Sequence, residues 1–129
     1  EEKIEKACNL AQTNEKFYLV SNAMWSYRLN FMQAIRISVI WSGIEALFMV
    51  DQNIKNTIAI VSSRFIYGND SKIEDIKTLY KEARCKATHE YSNGTYDLYV
   101  KSNELLYELL LKCIDEEDTP DVNNILINN

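Results

Sequence analysis

Turn-forming residues are scarce in this chain. Its 129 residues contain three glycines and one proline. Sandwiches and barrels of short strands need many such residues, so an all-β fold is excluded and a few long helices are favoured. Hydrophobic residues make up 47% of the chain and charged residues 26%, which suffices for one domain of this length to bury a core. We therefore expect an all-α fold, a helical bundle of about four to five helices.

Cysteine pairs and long apolar runs are also lacking. The three cysteines, Cys8, Cys85 and Cys113, are far apart and form no Cys-x-x-Cys pair. This pattern excludes a disulfide scaffold and indicates a reducing, cytoplasmic compartment, and we expect no cofactor and no metal site. Every stretch of about 18 residues contains charge, so we expect no membrane span. The chain opens with neither Met nor a signal peptide, and we expect it to be a piece of a longer protein with a fused or neighbouring regulatory domain.

A basic excess, which a sequence-independent nucleic-acid binder needs, is missing. The net charge is -5 and the isoelectric point is about 4.9. Residues 72–89 nevertheless carry four lysines and one arginine against three acids, whereas residues 104–121 carry seven acids against one lysine. The first segment is either a local basic face or a solvated helix surface. In the second segment, the acidic residues 115–118 lie at the carboxyl end of a predicted helix, where the helix dipole disfavours negative charge. We therefore expect that helix end to fray or to bind something basic.

Apolar side chains recur at helical spacing along most of the chain. Thr13-Asn14 is a predicted N-cap for the first long helix, Gly68 is a predicted helix end, and Ser71 with Glu74 is a predicted capping box. Four helical segments are predicted. The first spans residues 15–50 and has a break near 28–30, and the others span residues 54–67, 72–89 and 95–117. Residues 1–13 are a predicted lead-in with one short helix, residues 14–118 the helical domain, and residues 119–129 a loose tail.

Glu45 lies beside Trp41 in the most apolar of the predicted helices. A carboxylate in such surroundings costs free energy unless it is paired. We therefore expect Glu45 to bind backbone donors or one of three cations: Arg84, Arg64 or Arg28. The alternative is an exposed glutamate on a narrow polar edge of the helix.

His89 is the only histidine in the chain, and Arg84 precedes it by five positions. Histidine can exchange a proton near neutral pH, and the guanidinium of arginine fits a phosphate. The pair therefore predicts phosphodiester chemistry, that is, RNA cleavage. Five residues turn a helix by about 140° and advance it by about 7.5 Å, so the two side chains do not share one helix face. The alternative is a solvated or structural pair on a helix surface.

Two segments carry a resemblance to a known family. Residues 41–48 end in a Glu-x-Leu-Phe pattern, and residues 79–84 contain Tyr-x-x-x-Arg, followed by His89 with four residues between. In this combination and order, the chain resembles the HEPN domain family, more narrowly its Apea-like branch, over residues 14–118. The resemblance implies a HEPN-like helical bundle.

The resemblance also implies a function. The implied function is that of a metal-independent endoribonuclease that cleaves RNA in host defence or as a toxin-like nuclease. The implied active form is a homodimer with two Arg–His motifs in one composite cleft. Carried over by position, Arg84 and His89 are the catalytic residues. The chain departs from the family where Cys85 replaces a frequent polar residue and Glu90 a frequent glycine. Residues expected to support the site are Glu45, Tyr80, Cys85 and Lys86.

Other functions stay open at this point. Many members of the family lack activity, so the main alternative is a catalytically inactive HEPN dimerisation module or a nucleotide- or protein-binding module. A thiol enzyme is a further alternative, because Cys85 and His89 are four residues apart and face alike on a helix. A metal site made of Cys85, His89 and Glu90 has too few well-spaced ligands for structural zinc.

Overall fold

Seven helices make up the part of the chain that the structure describes. This computed structural model describes the backbone of residues 1–26, 33–89 and 95–127 and the side chains of residues 1–24, 34–84 and 96–127. Within those backbone ranges there is no β-strand. The helices are α1 (Glu2–Thr13), α2 (Glu15–Ser26), α3 (Gln33–Phe48), α4 (Ile54–Tyr67), α5 (Ile73–His89), α6 (Thr95–Glu116) and α7 (Val122–Ile127).

The prediction of an all-α bundle is confirmed, but the predicted number of about four to five helices is too low. Of the two helices beyond the five long ones, α1 corresponds to the short helix expected in the lead-in, and α7 lies in the residues expected to form a loose tail. Both pack against other helices: Leu10 of α1 is buried, and Val122 and Ile125 of α7 lie against the core. The division into lead-in, domain and tail stays a prediction.

Helix α3 lies at the centre of the bundle and packs against α2, α5 and α6. Its buried side chains include Trp41, which has no exposed surface. Gly43 lets α2 come close, because a Cβ atom at this position would lie 2.7 Å from the Cβ of Ala23. The predicted break near residues 28–30 lies outside the described residues. The other large side chains of α3 that are buried are Ile37, Ile40, Ile44, Leu47 and Phe48.

Helix ends follow local rules in two places. The Asn14 side-chain oxygen accepts a hydrogen bond from the Phe17 amide at 3.1 Å, which confirms the predicted N-cap of α2. Gly68 ends α4 with φ of 75°, a left-handed conformation that glycine adopts without strain, and this confirms the predicted helix end.

Helix α5 begins differently from the prediction. It starts at Ile73, one residue later than a capping box at Ser71 predicts, and Glu74 pairs with Lys77 instead. The Lys72 amide donates to the Ser63 hydroxyl at 3.1 Å, and that hydroxyl donates to the Asn69 carbonyl at 2.7 Å. A side chain of α4 therefore satisfies the amide of the residue that immediately precedes α5.

The acidic end of α6 binds basic residues of the same chain. Lys3 lies 3.5 Å from Asp115, and Lys6 lies 3.9 Å from Glu117. Asn14 donates to Asp118 at 3.2 Å. The expectation that this helix end meets something basic is confirmed, and α1 supplies the cations. No helix in the described ranges is long and apolar enough to span a membrane.

Candidate functional site around Arg84

Arg84 of α5 forms an ion pair with Glu45 of α3. The Arg84 Nε donates to Glu45 Oε2 at 3.1 Å, and Nη2 approaches the same oxygen. The two side chains are only 31% and 26% exposed. The predicted pairing of Glu45 with a cation is therefore confirmed, and the exposed-edge alternative is wrong. Arg64 instead pairs with Asp70, and Arg28 lies outside the described residues.

Tyr80 completes this cluster from one turn earlier in α5. Its hydroxyl donates to Glu45 Oε2 at 3.1 Å, and its ring lies beside the Arg84 guanidinium, 5.8 Å from centroid to Cζ. The same ring meets Trp41 edge-on, with centroids 5.2 Å apart at 88°. Trp41 Nε1 in turn donates to the buried Ser102 hydroxyl of α6 at 2.9 Å. The cluster therefore connects α3, α5 and α6.

The protonation states follow from this geometry. Burial opposes the charge of Arg84, but the hydrogen bond and the negative charge of Glu45 outweigh it and raise the pKa of Arg84. Burial, followed by the charge of Glu45, raises the pKa of Tyr80. Arg84 is thus a permanent cation, and Tyr80 is a neutral hydrogen-bond donor at physiological pH. Glu45 holds the guanidinium in place and also neutralises its charge.

The remaining predicted site residues, Cys85, Lys86 and His89, have described backbone only. Helix α5 continues without interruption from Arg84 through His89. Arg84 and His89 are therefore five residues apart in one regular helix, and they lie on different faces of α5, about 140° apart. The thiol and metal alternatives depend on side chains of Cys85, His89 and Glu90 that lie outside the described residues.

An open groove that was not predicted from the sequence lies on the opposite side of α5, between this helix and α6. Carboxylates line it from both helices, and Tyr67, at the end of α4, lies at one end. The spacing of Asp97, Glu104 and Glu108 already places them along one face of a helix. That signal was present in the sequence, but only the packing of α6 against α5 makes it the wall of a groove.

No protein-family model, curated protein or solved structure matches this chain. Among the side chains that the structure describes, no three His, Cys, Asp or Glu residues are grouped closely enough to hold a metal ion. The resemblance to HEPN domains therefore stays an expectation, and the geometry around Arg84 is the basis for proposing a function.

Proposed function

We propose that this protein is a HEPN-type, metal-independent endoribonuclease that acts as a homodimer in the cytoplasm, in host defence or toxin-like RNA cleavage. The observation that carries the proposal is the fixed position of Arg84. Glu45 and Tyr80 hold its guanidinium on a helix that runs on to the only histidine of the chain. Phosphodiester cleavage needs a positioned cation and a proton-transfer group.

In the proposed mechanism, the 2′-hydroxyl of a ribose attacks the adjacent phosphorus and expels the 5′-oxygen of the next nucleotide. Arg84 stabilises the negative charge on the nonbridging oxygens. Each chain has one histidine, so a dimer provides two: one His89 takes the proton of the 2′-hydroxyl, and the other gives a proton to the leaving oxygen. The products are a 2′,3′-cyclic phosphate and a free 5′-hydroxyl.

Glu45 and Tyr80 act in this proposal as positioning residues. An arginine side chain is flexible, and holding it in one geometry before RNA arrives lowers the entropy lost on reaching the transition state. Glu45 also attracts the guanidinium away from a phosphate. Replacing Glu45 is therefore expected to change the rate of cleavage even in a variant that stays folded.

The same ion pair favours a second candidate function. If Glu45 and Arg84 serve only to connect α3 with α5, the chain is an inactive HEPN dimerisation module or a nucleotide- or protein-binding module. In that case RNA is not degraded, and the protein is indifferent to substitution of His89.

The test is cleavage of a labelled RNA in the presence of a chelator by wild-type protein, by His89→Ala and by Arg84→Lys. Thr78→Ala, an exposed substitution on the same helix, is the matched control. We expect wild type and Thr78→Ala to produce 2′,3′-cyclic phosphate ends. His89→Ala should produce none, and Arg84→Lys should be slower by at least about tenfold, because lysine lacks the planar fork.

Circular dichroism before and after heating establishes that each variant is folded, and sedimentation establishes whether the active species is a dimer. Cleavage retained by folded His89→Ala would end the proposal. Absence of cleavage by the wild-type dimer, together with unchanged binding properties of His89→Ala, would favour the binding module.

A further inference from the structure

The groove between α5 and α6 has an aliphatic floor and an acidic rim. It is open to solvent along the two helices and has a volume of about 680 Å³. Ile76 and Leu79 contribute to its floor from α5, and Leu98 and Leu105 contribute from α6. Tyr67 lies at one end, and this residue is 38% exposed. Ile76, Leu98 and Leu105 are only 5–6% exposed, so Leu79 and Tyr67 provide most of the apolar surface that the chain leaves uncovered in the groove.

Negative charge dominates the rim. Five carboxylates line the groove against two lysines, a net charge of -3 for the lining. Lys101 is already paired with Asp97 at 3.2 Å. Lys72 lies against the Tyr67 ring, 5.9 Å from its centroid. The carboxylates are Asp75, Glu82, Asp97, Glu104 and Glu108.

Two of the carboxylates line the groove from different helices, and neither has a cationic partner among the described residues. Asp75 belongs to α5 and Glu104 to α6, and both are exposed. Among the described residues, neither makes an ion pair or a hydrogen bond. Acidic side chains of neighbouring elements repel each other, so a cation that enters between them lowers the electrostatic energy.

The negative charge along the groove also affects the pKa of Tyr67. Its hydroxyl donates to Glu108 at 2.6 Å. Burial, then the hydrogen bond and charge of Glu108, and then the charge of Glu104 raise the pKa of Tyr67 to about 12. A phosphate backbone in this groove would meet the same repulsion, so RNA is not its occupant.

We propose that this groove binds a basic, amphipathic segment of a partner protein, with aliphatic side chains on the floor and Lys or Arg side chains between Asp75 and Glu104. The apolar surface of Leu79 and Tyr67 favours an amphipathic segment over an isolated cation, and the acidic rim selects its charge. The groove lies on the α6 side of α5, and the proposal does not depend on cleavage by Arg84 and His89.

The test uses a synthetic helical peptide of about 15 residues, with leucine on one face and lysine on the other, and measures binding by fluorescence anisotropy. The groove variant is Asp75→Asn with Glu104→Gln. The control variant is Glu15→Gln with Asp51→Asn, which removes the same two charges at exposed positions that do not line the groove. Glu15 and Asp75 both lie in the first turn of a helix, so each variant loses one acid from a first turn.

We expect the groove variant to bind the peptide at least about tenfold more weakly than wild type, and the control variant to bind within about twofold. Peptides in which serine replaces leucine, or glutamine replaces lysine, should also bind weakly. Equal losses in both protein variants would mean that only the overall charge matters and would overturn the proposal.

Three other outcomes would overturn it as well. One is failure of wild type to bind the leucine–lysine peptide. Another is equally tight binding of the serine–lysine peptide, which would identify a site for cations alone. If the groove variant instead changes the molecular mass of the protein in sedimentation, the occupant is a second copy of this chain. Thermal unfolding of both variants checks that the fold is retained.

Discussion

The two sides of α5 use charge in opposite ways. On the side of α3, Arg84 pairs with Glu45 in a partly buried cluster that Tyr80 completes. On the side of α6, the charged side chains are largely exposed, and Asp75 and Glu104 have no cation among the described residues. One helix therefore carries a matched ion pair on one side and an unmatched acidic surface on the other.

Because of this difference, the charges on the α3 side mainly stabilise the fold, whereas those on the α6 side are available to a partner. A half-buried ion pair costs much free energy when one member is removed, because the other is left without its counter-charge. Exposed charges contribute little to stability, since water and salt screen them. Substitutions on the α3 side should therefore lower stability, and those on the α6 side should change mainly association.

The largest effect is expected from Trp41→Ala. The substitution removes a fully buried indole, its contact with Tyr80 and its hydrogen bond to Ser102. We expect the free energy of unfolding to fall by about 3–5 kcal/mol, measured by urea unfolding and circular dichroism. Trp41→Phe should cost less because the ring contact is retained. A loss below about 1 kcal/mol for Trp41→Ala would mean that the α3 side can repack without this side chain.

Glu45→Ala should have the next largest effect. It leaves Arg84 without its carboxylate and Tyr80 without its acceptor, and we expect a loss of about 1–3 kcal/mol in the free energy of unfolding. Glu45→Gln keeps an acceptor for Tyr80 and should lose less. Chemical unfolding of the two variants at matched salt concentration provides the comparison. Losses of less than about 0.5 kcal/mol in both would contradict a stabilising ion pair.

The smallest effect is expected on the α6 side, from Tyr67→Phe at high pH. The pKa of Tyr67 is raised from 10.0 to about 12 in the folded protein, first by burial and then by Glu108. A raised pKa means that Tyr67 stabilises the fold below its unfolded pKa and that this contribution is lost as pH rises through about 10–12. Wild type should lose stability relative to Tyr67→Phe only in that window. The stability difference, measured by urea unfolding across pH, should be constant at lower pH, and a constant difference up to pH 12 would contradict the raised pKa.

Local rules in the sequence predicted much of the fold. Asn14 caps α2 and Gly68 ends α4 because each depends on its own conformation and on neighbours a few residues away. The pairing of Glu45 with a cation was predictable for a related reason, since an unpaired carboxylate among apolar side chains is costly. Which arginine pairs with it was not predictable. Arg64 and Arg84 were equivalent candidates until the packing of α5 against α3 distinguished them.

Features that depend on contacts between distant residues were not predictable from the pattern. The amide of Lys72, just before α5, donates to Ser63 of the preceding helix. The acidic end of α6 is stabilised by Lys3 and Lys6 near the other end of the sequence. The α5–α6 groove needs both helices in place. For the candidate site, the sequence predicted Arg84, Glu45 and Tyr80 as members, and their mutual contacts came from the structure.

The two sides of α5 should differ in how strongly their charges are coupled. Double-mutant cycles measure this directly from the free energy of unfolding, using Glu45→Gln with Arg84→Met on the α3 side and Asp97→Asn with Lys101→Met on the α6 side. We expect a coupling energy of about 1–3 kcal/mol for Glu45 and Arg84, and below about 0.5 kcal/mol for the exposed pair. A coupling energy near zero for Glu45 and Arg84, or equal values for the two pairs, would contradict the claim.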